Sequence, residues 1–191
     1  TDRINTPSRP LPAGIVAPNL VLAAFVLLNL LGLGCSSLLG RCEAMVAGTA
    51  AALSFLYSLC LKDTVIIGNV LVSFLSALPL AYGGLIAGSV RETLWATVVV
   101  FLFMLPRELL KSIDDVKGDR RAGLSTAAVV WGRQVALRVY IVLVGFFFVG
   151  SLVTWMRLQS LAYALLMGWV DVVYVYSVIL VVKQSLQNNV C

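Results

Sequence analysis

Six long apolar runs decide what this chain can become. They cover residues 18–39, 43–61, 66–87, 93–110, 134–155 and 161–182, with short polar turns between most of them. A helix of roughly 20 apolar residues crosses the hydrocarbon core of a bilayer. Inside lipid every backbone N–H and C=O must find its partner within the protein, so only helices and closed barrels span it. These runs are too long for membrane strands and lack strict alternation. The sequence therefore predicts an all-α, polytopic transmembrane helical bundle with six spans. Composition agrees: 60% of the residues are hydrophobic and 12% charged, against about 45–50% and about 25% in soluble domains. A disordered chain, a secreted disulfide scaffold and a soluble nucleic-acid binder are all excluded. No nucleic acid and no obligate protein partner is expected; the bilayer is the first partner.

Charge placement orients the bundle. An even number of spans puts both ends on one side. That side receives Arg3, Arg9, Lys62, Arg107, Lys111, Lys117, Arg120, Arg121, Arg133, Arg138 and Lys183, and the other only Arg41, Arg91 and Arg157. Eleven against three places the first side in the cytoplasm or its equivalent in an organelle. The opposite loops are too short to hold a site. The long polar segments, 1–17 and 107–133, are cytoplasmic, so any chemistry belongs there. The chain starts Thr1-Asp2-Arg3, without Met or an apolar leader. The expectation is an internal start with no signal peptide, in a fragment of something longer. The four cysteines form no CxxC pair and there is no histidine, so a zinc site lacks its ligands.

The segment after the fourth run reads Arg107-Glu108-Leu109-Leu110-Lys111-Ser112-Ile113-Asp114-Asp115-Val116-Lys117-Gly118-Asp119-Arg120-Arg121-Ala122-Gly123. If the helix continues, Glu108, Ser112, Asp115 and Asp119 share one face. Like charges four residues apart repel, and a bound hard cation reverses the sign. Mg²⁺ takes oxygen ligands and is typically held by one or two carboxylates plus substrate phosphates. The face thus reads as a Mg²⁺–diphosphate site with Lys111, Arg120 and Arg121 as phosphate partners, or as a solvated mixed-charge loop; spacing alone does not separate the two. At the start of the chain, Pro7, Pro10 and Pro12 forbid a helix and predict an extended loop. There Arg3 and Arg9 either clamp an anion or anchor the chain by their charge. The short loop after the second run carries Tyr57, Lys62 and Asp63, and Asn69 begins the next helix as an orienting group or a packing contact.

Together and in this order, three segments resemble the UbiA family of intramembrane prenyltransferases. Asp2-Arg3-Ile4-Asn5-Thr6-Pro7-Ser8-Arg9-Pro10-Leu11-Pro12-Ala13-Gly14 matches the continuation of that family's first Asp-rich motif. Tyr57-Ser58-Leu59-Cys60-Leu61-Lys62, running on to Gly68-Asn69, matches its middle signature. Ser112 to Gly123 matches its second Asp-rich motif. The family looks like a nine-helix bundle. The resemblance implies that residues 1–191 form a single transmembrane domain holding the third to eighth helices, without the first two or the ninth. Two departures stand out. Ser112 replaces the first acid of the second motif, and Asp114 points about 160° away from that position on a helix. The Asn and first Asp of the first motif have no counterpart from Thr1 onward.

The resemblance implies Mg²⁺-dependent transfer of a prenyl group from a prenyl diphosphate to a membrane-soluble acceptor. Asp2, Asp115 and Asp119 are the expected metal-binding and catalytic acids. Arg3, Arg9, Lys62, Lys111 and Arg120 are expected to bind diphosphate or an acceptor phosphate, with Tyr57 and Asn69 orienting the head or the acceptor. The 68–84 stretch and Arg107-Glu108 resemble most the branch that prenylates geranylgeranylglyceryl phosphate; a quinone or chlorophyll-type aromatic precursor is the alternative acceptor. Physics fits this reading: cations and a metal stabilise a departing diphosphate without a protein nucleophile. Two rivals remain. Asp171, in the middle of the sixth run, is what a transporter or channel would need. Ser112 suits a catalytically inactive homologue.

Overall fold

The computed structural model describes residues 6–187, so Asp2 and Arg3 lie outside the described residues. Within them the chain is helical, with no strand. The long helices are α1 (Pro18–Leu39), α2 (Arg41–Leu56), α3 (Ile67–Ile86), α4 (Val90–Asp114), α7 (Arg133–Leu158) and α8 (Leu161–Gln187). Two short ones, α5 (Val116–Arg121) and α6 (Ala127–Val130), sit in the polar segment after α4. A π-helical turn, Tyr57–Leu61, extends α2. Six helices are long and apolar enough to cross a membrane, and they coincide with the six runs.

The ends differ from expectation for physical reasons. The fourth span was expected to stop at Leu110, yet α4 runs to Asp114. Its hydrogen-bond ladder does not end where the apolar run does, because water tolerates a helix as well as lipid does. The residues before α1 are not extended. Arg9 N–H donates to the Thr6 carbonyl at 3.2 Å, Ala13 N–H to Arg9 at 2.9 Å and Ile15 N–H to Pro10 at 2.9 Å. These are successive turns. A proline φ near −65° suits turns as well as extended chain, and the donors lie on non-proline residues.

Consecutive long helices pack as neighbours, α1 on α2, α2 on α3, α3 on α4 and α7 on α8, while α4 packs also on α7. The core lies on α7: Ala136, Tyr140, Val144 and Phe147 are buried there, facing Val99, Leu109 and Ile113 of α4 and Tyr174 of α8. Phe103, Phe147 and Tyr174 meet with ring centroids 5.2–5.6 Å apart. Small residues let helices approach where lipid offers no hydrophobic drive. Ser73 and Ala77 of α3 are fully buried, and Gly150 of α7 faces Leu102 of α4. By contrast, no residue of α2 is buried and only Ser36 of α1 is. Many of their leucines, valines and phenylalanines are exposed.

Asp171 of α8 keeps one buried carboxylate oxygen without a hydrogen-bond partner among the described residues. Among the described residues it belongs to no group of three acids or cysteines that could hold a metal.

Candidate active site

The end of α2, the start of α3 and the end of α4, with α5 and the segment after it, enclose a polar cleft of about 140 Å³. Its lining includes Arg9, Tyr57, Lys62, Asn69, Lys111, Asp115 and Asp119. Segments more than a hundred residues apart in sequence meet here. Glu108, Ser112, Thr64, Gly68, Leu124 and Thr126 complete the lining.

Local structure explains the convergence. In the π-helical turn the Lys62 N–H donates to the Tyr57 carbonyl at 2.9 Å, five residues back. An α-helix would separate residues five apart by about 140°. The wider turn closes much of that angle, and Tyr57 and Lys62 both reach the cleft. Gly68 sits buried against this turn. A Cβ there would stand 2.7 Å from the Leu61 carbonyl oxygen and 3.3 Å from Thr64 Oγ1. The Thr64 hydroxyl donates to Leu61 O at 2.6 Å and accepts from the Gly68 N–H at 2.8 Å. So glycine is what lets α3 begin beside the turn and present Asn69.

This predicts that Gly68→Ala destabilises the protein by about 1–3 kcal/mol through overpacking against backbone. Gly83→Ala has open space around it and should not destabilise. Thermal melting in detergent compares the two.

The acidic face forms across a joint. Helix α4 ends at Asp114, and Asp115 (φ −82°, ψ −2°) links it to α5. Asp115 N–H still donates to the Lys111 carbonyl and Asp119 N–H to the Asp115 carbonyl, both at 2.9 Å. The four-residue period therefore survives, and Glu108, Ser112, Asp115 and Asp119 line one cleft. Asp114 is exposed and outside it, as the helical period requires. Arg120, expected among the phosphate-binding residues, is also exposed and outside the lining. It follows Asp119 by one residue, about 100° round the helix.

Asp119 is 6% exposed. Burial raises its carboxyl above the ordinary range; the Thr126 hydroxyl, donating to Oδ2 at 3.0 Å, opposes this, Asp115 adds to it and Lys62 opposes it. Glu108, 8% exposed, is paired with Arg107 at 2.7 Å. Ser112 accepts the Ala128 N–H at 3.5 Å, so the residue that replaces an acid touches the start of α6. Asp63 accepts the Ser125 N–H. Sequence reasoning assigned no role to Asp63, Thr64 or Thr126, whose partners are invisible without the fold.

A larger apolar cavity of about 730 Å³ lies among α1, α2 and α3, lined by residues such as Phe25, Leu33, Phe55 and Leu75. At one place Tyr82 donates to Ser36 Oγ at 2.8 Å. Ser54 and Phe55 line this cavity and Tyr57, on the next stretch of the same helix, lines the polar cleft.

A bundle of six membrane-length helices with a polar cleft at one end defines an integral multi-pass membrane protein. The sequence matches the UbiA prenyltransferase family over residues 1–189, and the chain belongs to that family. It is 33% identical over 180 residues to digeranylgeranylglyceryl phosphate synthase of Sulfolobus acidocaldarius, covering 94% of this chain and 66% of that protein. It is 36% identical over 138 residues to the enzyme of the same name from Methanopyrus kandleri, covering 72% and 51%. A solved structure of a digeranylgeranylglyceryl phosphate synthase superposes with a TM-score of 0.69 at 26% identity, covering 96% of this chain and 66% of that one. The chain thus spans between half and two thirds of the length of these relatives.

Proposed function

We propose that this protein transfers a prenyl group from a prenyl diphosphate to the hydroxyl of a glycerophosphate lipid, geranylgeranylglyceryl phosphate being the acceptor to which its relatives' names point. The observation that carries this reading is the single cleft in which Asp115 and Asp119 face Lys62, Lys111 and Arg9. Residues 1–191 are read as one transmembrane domain.

The donor set suits Mg²⁺: Asp115 and Asp119 stand in one polar cleft with a third carboxylate, Glu108, that is paired with Arg107, and the lining holds no soft ligand. Asp115 and Asp119 would hold it, with Asp2 from the first motif. When bound, Mg²⁺ neutralises charge that develops on departing diphosphate. Lys62, Lys111 and Arg9 bind the remaining phosphate oxygens. Asn69 and Tyr57 orient the head group, and the apolar cavity takes the isoprenoid chain. The bond between the allylic carbon and the diphosphate oxygen breaks, with its electron pair leaving on diphosphate. The acceptor oxygen bonds to that carbon, and its proton is released.

The test is transfer from labelled geranylgeranyl diphosphate by the protein in lipid nanodiscs. An ether-linked product with the glycerophosphate acceptor, and none with 4-hydroxybenzoate, is expected; the reverse would move the acceptor to the aromatic class. The acidic turn is read as cytoplasmic. A cysteine replacing exposed Lys117, in a background with the native cysteines removed, should be labelled by an impermeant thiol reagent from the cytoplasmic side only. Labelling from outside only would contradict the charge count.

A further inference from the structure

The segment 122–126 contributes Leu124 and Thr126 to the cleft and is held there by two hydrogen bonds. The Ser125 N–H donates to Asp63, 62 residues away at the end of the π-helical turn. One residue on, the Thr126 hydroxyl donates to Asp119 Oδ2 at 3.0 Å. Thr126 also stands at the N-terminal cap of α6, and Leu124 and Thr126 line the cleft. Two hydrogen bonds therefore set the position of one carboxylate. Asp63 fixes the backbone at Ser125, and that backbone fixes where the Thr126 hydroxyl reaches.

We infer that Thr126 and Asp63 are positioning residues: the Asp63–Ser125 tie holds Thr126 so that its hydroxyl occupies Oδ2 of Asp119 and leaves Oδ1 for a cation in the cleft. The inference rests on the reading of Asp119 as a metal ligand. Its physical basis is orientation. A carboxylate with both oxygens unrestrained turns about its Cβ–Cγ bond and must be ordered when it ligates. One whose second oxygen already accepts a hydrogen bond is ordered beforehand, and such outer partners govern metal affinity. Thr126 does this without charge, so it leaves the carboxylate its negative charge for the ion. Neither residue needs to touch the substrate.

The test is Mn²⁺ binding, followed by electron paramagnetic resonance, to the protein in lipid nanodiscs with inorganic pyrophosphate present. Thr126→Val should weaken Mn²⁺ binding by about 10-fold or more, the scale of a lost outer partner, while Thr126→Ser should stay within about 2-fold of the parent. Asp63→Ala should weaken it in the same direction, and Asp63→Asn, which keeps an acceptor oxygen for Ser125, should restore it. Thermal melting of each variant separates lost orientation from lost fold. Parental Mn²⁺ affinity in both Thr126→Val and Asp63→Ala, alongside lost affinity in Asp119→Asn, would overturn the inference and leave the metal site standing. Parental affinity in Asp119→Asn would overturn the metal site and the inference with it.

Discussion

Asp119→Ala is expected to lower prenyl transfer by at least about 100-fold, and Asp115→Ala by a similar factor. The loss corresponds to roughly 3 kcal/mol of stabilisation of the departing diphosphate. It should appear in single-turnover rates at saturating prenyl diphosphate. Raising Mg²⁺ should recover part of it, because the remaining carboxylate still offers ligands. Asp114→Asn is the control: the residue is exposed and outside the cleft, and its transfer rate should stay near that of the parent. Rates near the parent's in either alanine variant would remove the acidic pair from the mechanism.

The second large effect concerns the cations. Lys62 comes from the end of α2 and Lys111 from the last turn of α4, and both line the cleft. Each is expected to donate a charge-assisted hydrogen bond to phosphate, worth about 1.5–3 kcal/mol. Lys62→Ala and Lys111→Ala should each reduce kcat/KM by about 10- to 100-fold. Pyrophosphate inhibition should weaken in parallel. Arg120→Ala, which removes a charge from the exposed side of α5, should change either quantity by less than about 2-fold on the scale of a screened surface charge. A loss at Arg120 equal to that at Lys111 would mean that the diphosphate lies outside the cleft.

How much of this was legible beforehand follows from what each feature depends on. The six spans are a property of local composition, and all six stand where the apolar runs predicted. The acidic face was readable from helical period, because Glu108, Ser112, Asp115 and Asp119 fall at steps of four, three and four. The end of α4 was not, since polar residues continue a helix without announcing it. Nor was the π-helical turn, whose Tyr-Ser-Leu-Cys-Leu sequence has no marker of wider winding. The prolines before α1 were misread because a fixed φ excludes a long helix without choosing between extended chain and turns. Asp63 and Thr126 were out of reach for a different reason: each matters through a partner that only tertiary structure supplies.

The uneven burial of the bundle bears on how strictly each half of an amphiphile is read. Helices α4 and α7 interlock through buried aromatic rings, and the polar cleft is anchored to α4. The apolar cavity is walled by α3 and by α1 and α2, and in α1 and α2 only Ser36 is buried. Loosely packed elements open at low free-energy cost, and tightly packed ones do not. On the proposed reading, the interlocked end is where the charged head group would sit. Selectivity is then expected to be graded along the axis of the bundle, strict at the head group and more tolerant along the hydrocarbon.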